Sequence, residues 1–229
     1  MVQQYLDQAS SYAADIDFAI DVITWLTGFW GTLCMVVFIG FIIFFRDKGQ
    51  RGQYISGEEK HQTRWISIPH LLVLVCDVYI LVVAIQVWVN VKQTLPEPDR
   101  TVRVIAQQWA WSFEHPGPDG KLDTPDDIRT VDELRLEVNK TYHYKLVARD
   151  VMHSFSVPVF RLTQDAIPGR VITGWFKPIK TGTYDIQCKE MCGIGHGLMP
   201  ARVVIGTPAQ HAKWMASRTK TAYAALDTR

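Results

Sequence analysis

Residues 23–45 read ITWLTGFWGTLCMVVFIGFIIFF, from Ile23 to Phe45 without one charged side chain. Coiled as a helix rising ~1.5 Å per residue, this run crosses the ~30 Å hydrocarbon layer of a bilayer. Buried helices of soluble proteins seldom continue so long without charge, so the run predicts a transmembrane helix. A second run, Ile66 to Val89, reads ISIPHLLVLVCDVYILVVAIQVWV and is long enough to span, although it carries His70, Asp77 and Gln86. Charge facing lipid is costly, so Asp77 is expected to face a partner helix or a polar cavity. A cleavable signal peptide fits poorly, because Asp15, Asp17 and Asp21 stand where a basic region would be needed.

The chain has 229 residues, 48% of them apolar, and a net charge of +1. These values exclude a disordered tail and give no reason to expect nucleic acid as a partner. The apolar residues crowd into the first ninety positions, so two solvents are implied, membrane lipid and then water. Arg46, Lys48, Arg51, Lys60 and Arg64 lie between the runs and no basic residue precedes Ile23. The connecting loop is therefore expected in the cytoplasm, with both termini on the opposite side, in the periplasm or its organellar equivalent. The expected organisation is an external segment at 1–22, spans at 23–45 and 66–91, and a cytoplasmic loop at 46–65. A linker at 92–100, an outer domain at 101–206 and a C-terminal helix and tail at 207–229 complete it.

The outer domain follows the Pro-containing linker LPEPDR and shows short β-branched and aromatic runs between turn signals. Strands are expected at Val102–Phe113, Glu133–Val138, Tyr142–Val147, Val171–Phe176, Gly182–Gln187 and Ala201–Ile205. The pattern predicts an all-β Greek-key sandwich or barrel. Thr207 followed by Pro208 and a run of helix formers containing Trp214 predicts a short terminal helix.

Chemistry concentrates in Cys188-Lys-Glu-Met-Cys192-Gly-Ile-Gly-His196-Gly-Leu-Met199. Thiolates and a thioether favour copper, and imidazole suits it too. One copper held by two His, one Cys and a distant Met is the blue-copper arrangement; this loop has one thiolate more, so two thiolates can bridge a pair of ions. The second imidazole must come from elsewhere, and His153 in Asp150-Val-Met-His-Ser-Phe155 is the best candidate, at the end of another strand. Outside the cytoplasm Cys188 and Cys192 alone would read as a disulfide. Zinc is the other alternative, but a two-Cys, two-His zinc site has no use for Met199 and the spacing is not that of a C-x-x-C knuckle. His196 and Met199 in the same loop tip the reading to copper. Two thiolates are too few for an ordinary iron–sulfur cluster, and no C-x-x-C-H haem attachment occurs.

Cys-x-Glu-x-Cys-x-x-x-His-x-x-Met with an upstream Asp-Val-Met-His-Ser-Phe resembles the CuA signature of cytochrome c oxidase subunit II. Two N-terminal spans, Gln-Trp-Ala-Trp-Ser-Phe at 108–113 and Asp-Ala-Ile-Pro-Gly-Arg at 165–170 are similar to that family in order and position. The resemblance implies a two-helix transmembrane hairpin plus an all-β cupredoxin-like barrel. It implies two copper ions held by His153, Cys188, Cys192, His196 and Met199, with the backbone carbonyl of Glu190 as a further ligand. The Glu190 side chain would also help hold magnesium against the catalytic subunit. Such a centre relays electrons from cytochrome c to haem in a haem–copper catalytic subunit I, where oxygen is reduced and protons are translocated alongside other oxidase subunits. Trp109 matches the aromatic residue at which electrons arrive, while Trp111 is expected in the core. Acidic residues between Glu114 and Glu137, with Asp150, are expected to steer a basic cytochrome c. The stretch from Asp119 to Asp127 carries part of a calcium-loop pattern without the full EF-hand spacing. The family often has a Glu before the second span at the mouth of a proton pathway; Gln62 stands there in this sequence, with Glu58, Glu59 and His61 nearby. His70, His115, His143 and His211 lack ligand patterns and are expected to be structural or surface residues.

Overall fold

The computed structural model describes residues 5–47, 49, 52 and 54–226, with side chains described as far as residue 218. Lys48 and Arg51 of the basic loop, residues 1–4 and the last three residues of the expected tail lie outside the described residues. The chain divides into two compact units, one formed by residues 17–89 and the other by the segment up to Ile16 together with everything from Asn90.

The first unit is helical. Helix α1 runs Ala13–Phe44 and α2 runs Lys60–Trp88, the latter followed by a π-helical turn at Val89–Gln93. Both begin well before the apolar runs that announced them. Once a turn is nucleated, propagation needs helix-forming residues rather than hydrophobic ones, and Asp15 in the first turn of α1 complements the positive end of the helix dipole. The apolar windows have mean hydropathies of 2.2 and 2.5. Phe29, Val36, Phe38 and Ile42 on α1 and Leu71, Leu74, Val78 and Leu81 on α2 are all exposed. Helices apolar all round and left uncovered by their own chain are built to face lipid or other spans. Asp77 is likewise uncovered within this chain.

In the second unit the strands are β1 Arg100–Gln107, β2 Ala110–His115, β3 Ile128–Val131, β4 Glu133–Glu137 and β5 Tyr142–Ala148. They continue with β6 His153–Val157, β7 Leu162–Ala166, β8 Ile172–Phe176, β9 Gly182–Cys188 and β10 Ala201–Gly206, and helix α3 covers Pro208–Leu226. Two five-stranded sheets result, in the orders β3-β2-β1-β5-β8 and β4-β10-β9-β6-β7. Alternate residues point between them: Val102, Val104 and Ala106; Tyr142, Tyr144 and Leu146; Ala201, Val203 and Ile205 are buried while their neighbours are less so. Trp111, Phe113, Phe155, Phe160 and Phe176 fill the middle, Trp111 and Phe155 meeting edge to face at 5.5 Å. Each such side chain contributes roughly 1.5–3 kcal/mol by leaving water.

Two expectations about the strands are corrected. Val102–Phe113 is not one strand but β1 and β2, reversed at Gln108–Trp109 and paired with Gln107 opposite Ala110. The apolar alternation runs through the turn, so no Gly or Pro marks it. Strands β3, β6 and β7 lie outside the expected set; β6 is buried along its whole length, so it has no alternation to read, and β7 is the polar stretch Leu-Thr-Gln-Asp-Ala.

The N-terminal segment is part of this domain. Ser10 bridges Pro178, the Ala9 N–H donates to Val159 O at 2.9 Å, and the Ile179 N–H donates to Ala9 O at 2.9 Å. The Arg161 guanidinium donates to the carbonyls of Leu6 and Asp7, each at 3.0 Å, and the Tyr12 ring meets Trp175 edge to face.

Helix α3 is longer than the short helix expected, because helix formers continue past Trp214. A capping box opens it: the Gln210 N–H donates to Thr207 Oγ1 at 3.3 Å and the Thr207 N–H donates to Gln210 Oε1 at 2.8 Å. His115 of β2 and His211 of α3 are buried against Trp214, with ring centroids 5.0 and 5.4 Å away. Burial, then the positive neighbours His211, Arg100 and Arg135, push the His115 imidazole down from 6.5 to about 3. Burial also lowers His211, against the pull of Glu137. A histidine neutral when folded and free to charge when unfolded gives stability that is complete above pH ~6.5. That stability drains as the pH falls toward about 3, since only the unfolded chain takes the proton in that window. Thermal melting of the full-length protein should therefore fall from pH 7 to pH 4, with a shallower slope for His115→Phe. Identical slopes would show that His115 is not the titrating group.

Candidate metal centre

The site is assembled at the end of the sandwich where the β1–β2 turn, the start of β6 and the loop between β9 and β10 meet. His153 opens β6 and is fully buried; Cys188 closes β9; Cys192, His196 and Met199 follow in the loop. Cys188 Sγ lies 3.9 Å from His153 Nδ1 and 3.9 Å from Cys192 Sγ. Cys192 Sγ lies 3.6 Å from His196 Nδ1 and 3.4 Å from Met199 Sδ, and Cys188 Sγ lies 3.3 Å from the Glu190 carbonyl oxygen. All six groups expected from the sequence thus form one connected set, and His153, Cys188 and Cys192 offer donor atoms within 4.8 Å of one another.

The donor set fits a soft metal. Two donors each ~2.3 Å from one ion stand at most ~4.6 Å apart, and the five contacts that link the set, at 3.3 to 3.9 Å, are all shorter than that. At 3.9 Å the two sulfurs are not bonded, and both cysteines are free thiols. Burial and then the adjacent Cys188 push the Cys192 thiol up to about 11. A bound soft cation would displace the Cys192 proton. His153 turns its other nitrogen away: Nε2 lies 2.9 Å from Asp150 Oδ1, and a proton on Nε2 leaves the Nδ1 lone pair facing the thiols. Asp150 also accepts the Val151 N–H at 2.7 Å and the Gln108 N–H at 2.6 Å. Burial works to raise this carboxyl, but the hydrogen bonds from Gln108, His153 and Val151 outweigh it and hold it below its ordinary value.

Trp109 sits on the loop, 39% exposed, and its indole N–H donates to Cys192 O at 3.2 Å. Gly195 is required beneath it, since a Cβ there would strike the ring, and Gly193 adopts φ +114°, a conformation other residues rarely take. Trp111 points into the core and donates to Met199 O at 3.1 Å, so the two tryptophans divide as expected. The Glu190 side chain is partly exposed.

Of the acidic residues expected to steer a partner, exposed Asp132 and Asp150 lie beside the β1–β2 turn, Asp132 accepting the Trp111 N–H at 3.0 Å, while others lie elsewhere. Glu114 is buried between Arg103, at 2.7 Å, and Arg129, at 3.1 Å, while Glu137 is buried beside Arg100 at 3.3 Å. The loop after His115 leaves β2 at the end remote from Trp109, roughly 20 Å along the strand, about two screening lengths at physiological salt. Asp123 pairs with Arg103, and Asp126 accepts the Thr124 hydroxyl and the Asp119 N–H. His143 Nε2 lies 2.7 Å from Pro96 O and is structural.

Two membrane-type helices joined to a cupredoxin-like sandwich, with a soft-donor cluster at its end, define a membrane-anchored domain with a candidate copper site. A family model described as cytochrome c oxidase subunit II, periplasmic domain, matches residues 119–206. The chain is 31% identical over 224 residues to the alternative cytochrome c oxidase subunit 2 of Bradyrhizobium diazoefficiens, covering 87% of this chain and 79% of that one. It is 35% identical over 143 residues to the probable cytochrome c oxidase subunit 2 of Rickettsia felis, covering 57% of this chain and 45% of that protein's length. The crystal structure of the periplasmic domain of subunit II of cytochrome oxidase of Bradyrhizobium japonicum superposes with a TM-score of 0.50 at 29% identity, over 56% of this chain and 99% of that one. The chain belongs to the cytochrome c oxidase subunit II family.

Proposed function

We propose that this chain is the electron-input subunit of a cytochrome c oxidase. Two copper ions held by His153, Cys188, Cys192, His196, Met199 and the Glu190 carbonyl would take electrons from cytochrome c at Trp109. They would pass them to haem in catalytic subunit I, supporting oxygen reduction and proton translocation there. The observation that carries this reading is the connected set of thiols, imidazoles and thioether, with the half-exposed Trp109 hydrogen-bonded to the backbone of Cys192. Copper held by these soft donors would supply a one-electron carrier. The residues do the rest. Asp150 fixes the His153 tautomer, burial keeps water from His153, Cys192 and Met199, and Trp109 offers the donor an aromatic face at the surface. The partly exposed Glu190 carboxylate suits a magnesium ion shared with subunit I.

The topology follows the same reading: spans at 23–45 and 66–91, the loop 46–65 in the cytoplasm, and the copper domain at 101–206 outside it. The contacts of residues 6–12 with the β domain support an N-terminus on the same side as that domain. The test is to purify the native complex, count its copper and record the EPR spectrum, with two coppers and a mixed-valence signal from this subunit expected. One tightly bound zinc, or a Cys188–Cys192 disulfide in the native complex, would overturn it.

A further inference from the structure

Four hydrogen bonds around the β1–β2 turn have one residue in common or at their border. The Gln108 backbone N–H donates to Asp150 Oδ2 at 2.6 Å, and the Gln108 side-chain amide donates to Cys192 O at 2.9 Å. The same carbonyl accepts the Trp109 indole N–H at 3.2 Å, and the same carboxylate holds His153 Nε2 at 2.9 Å. Gln108 therefore touches both segments that carry metal-ligand candidates, one through its main chain and one through its side chain. Its neighbour Trp109 is exposed and rests on a loop bearing Gly193, Gly195 and Gly197, which has little side-chain bulk to hold a ring.

From this geometry we infer that Gln108 is a positioning residue: it clamps the β1–β2 turn onto the copper loop and thereby fixes the ring of Trp109 over Cys192. The inference rests on the reading of Trp109 as the port for electrons, and it adds what keeps that port in place. A lone hydrogen bond at a half-exposed indole leaves the ring free to swing out. A second donor on the same carbonyl, from the adjacent residue and anchored in turn by Asp150, restricts the turn to the geometry in which the indole meets its acceptor. Removing the amide should raise the ratio of released to seated ring by about two- to tenfold, the weight of one such hydrogen bond.

Two variants test this, Gln108→Ala and Gln108→Met, the second keeping bulk without a donor. In the metal-free full-length chain, hydroxyl-radical oxidation mapped by mass spectrometry should increase at Trp109, by up to about twofold because a tenfold higher released population adds to a ring already 39% exposed when seated, and stay unchanged at buried Trp111. In the copper-loaded oxidase, copper content and EPR spectrum should match wild type while the saturated rate of electron uptake from cytochrome c falls with the seated fraction, by less than about tenfold. Combining either variant with Trp109→Leu should slow transfer no further than Trp109→Leu alone. Wild-type oxidation of Trp109 in both variants would overturn the inference, as would an additive loss in the double variant. Increased oxidation with a Trp109→Leu rate equal to wild type would keep the clamp and overturn the port.

Discussion

Cys192→Ser is expected to empty the metal centre. Cys192 is the hub of the site, with Cys188, His196 and Met199 all within 3.9 Å of its sulfur. Four-ligand structural sites bind their metal with roughly 10–16 kcal/mol, so each ligand bond is worth on the order of 3 kcal/mol, about 100-fold in affinity. On the proposed two-copper reading both ions would lose this thiolate, and serine offers a hard oxygen in place of a soft anion. Met199→Leu provides the contrast. The thioether is buried, leucine fills a similar volume, and a weak axial ligand tunes a copper site more than it holds it. Copper measured per protein should collapse in Cys192→Ser and persist in Met199→Leu, whose reduction potential should shift in a redox titration. Equal copper loss in the two variants would contradict this ranking.

Trp109→Leu should leave the metal and cripple the delivery of electrons to it. The indole meets the site through the Cys192 carbonyl and the glycines under its ring and supplies no donor of the metal-binding set, so copper content and EPR spectrum should be nearly those of wild type. At saturating reduced cytochrome c the transfer rate should fall at least about tenfold, a barrier increase of ~1.4 kcal/mol. A small reductant reaching the metal by another route should lose much less. Docking has to be separated from transfer, because an exposed aromatic is often a binding hot spot worth ~2 kcal/mol or more. Rapid mixing over a range of cytochrome c concentrations divides the two. A saturated rate equal to wild type would make Trp109 a contact or packing residue.

The acidic residues show why a count of charges is a poor guide to a docking face. Glu114 and Glu137 belong to the same acidic run as Asp119 and Asp123, yet both are buried and paired with arginine. Which carboxylates are spent on internal pairs depends on strand register, here the pairing of Arg103 with Glu114 across β1 and β2. Docking should therefore depend on the surroundings of Trp109, where Val151, Met152, Ile194 and Leu198 are exposed, more than on the loop after His115.

The membrane runs, the all-β character of the outer domain and the soft-ligand loop were all legible in the chain itself. Each depends on short-range facts: twenty or more residues without charge, alternation with a period of two, and Cys, Cys, His and Met at close spacing. His153 was a candidate from the sequence as well, because a second imidazole was needed and a sandwich readily brings the end of a strand beside a later loop; the fold places it 3.9 Å from Cys188 Sγ. Tertiary structure alone decided the rest. The reversal at Gln108–Trp109, hidden inside continuous alternation, puts an exposed indole on a loop more than eighty residues away in sequence. The joining of that turn to Cys192 and, through Asp150, to His153 is a long-range outcome of sheet pairing, as is the seating of the N-terminal segment on the domain. Residue types set which bonds a side chain can make; the packing of two sheets sets which of those partners it meets.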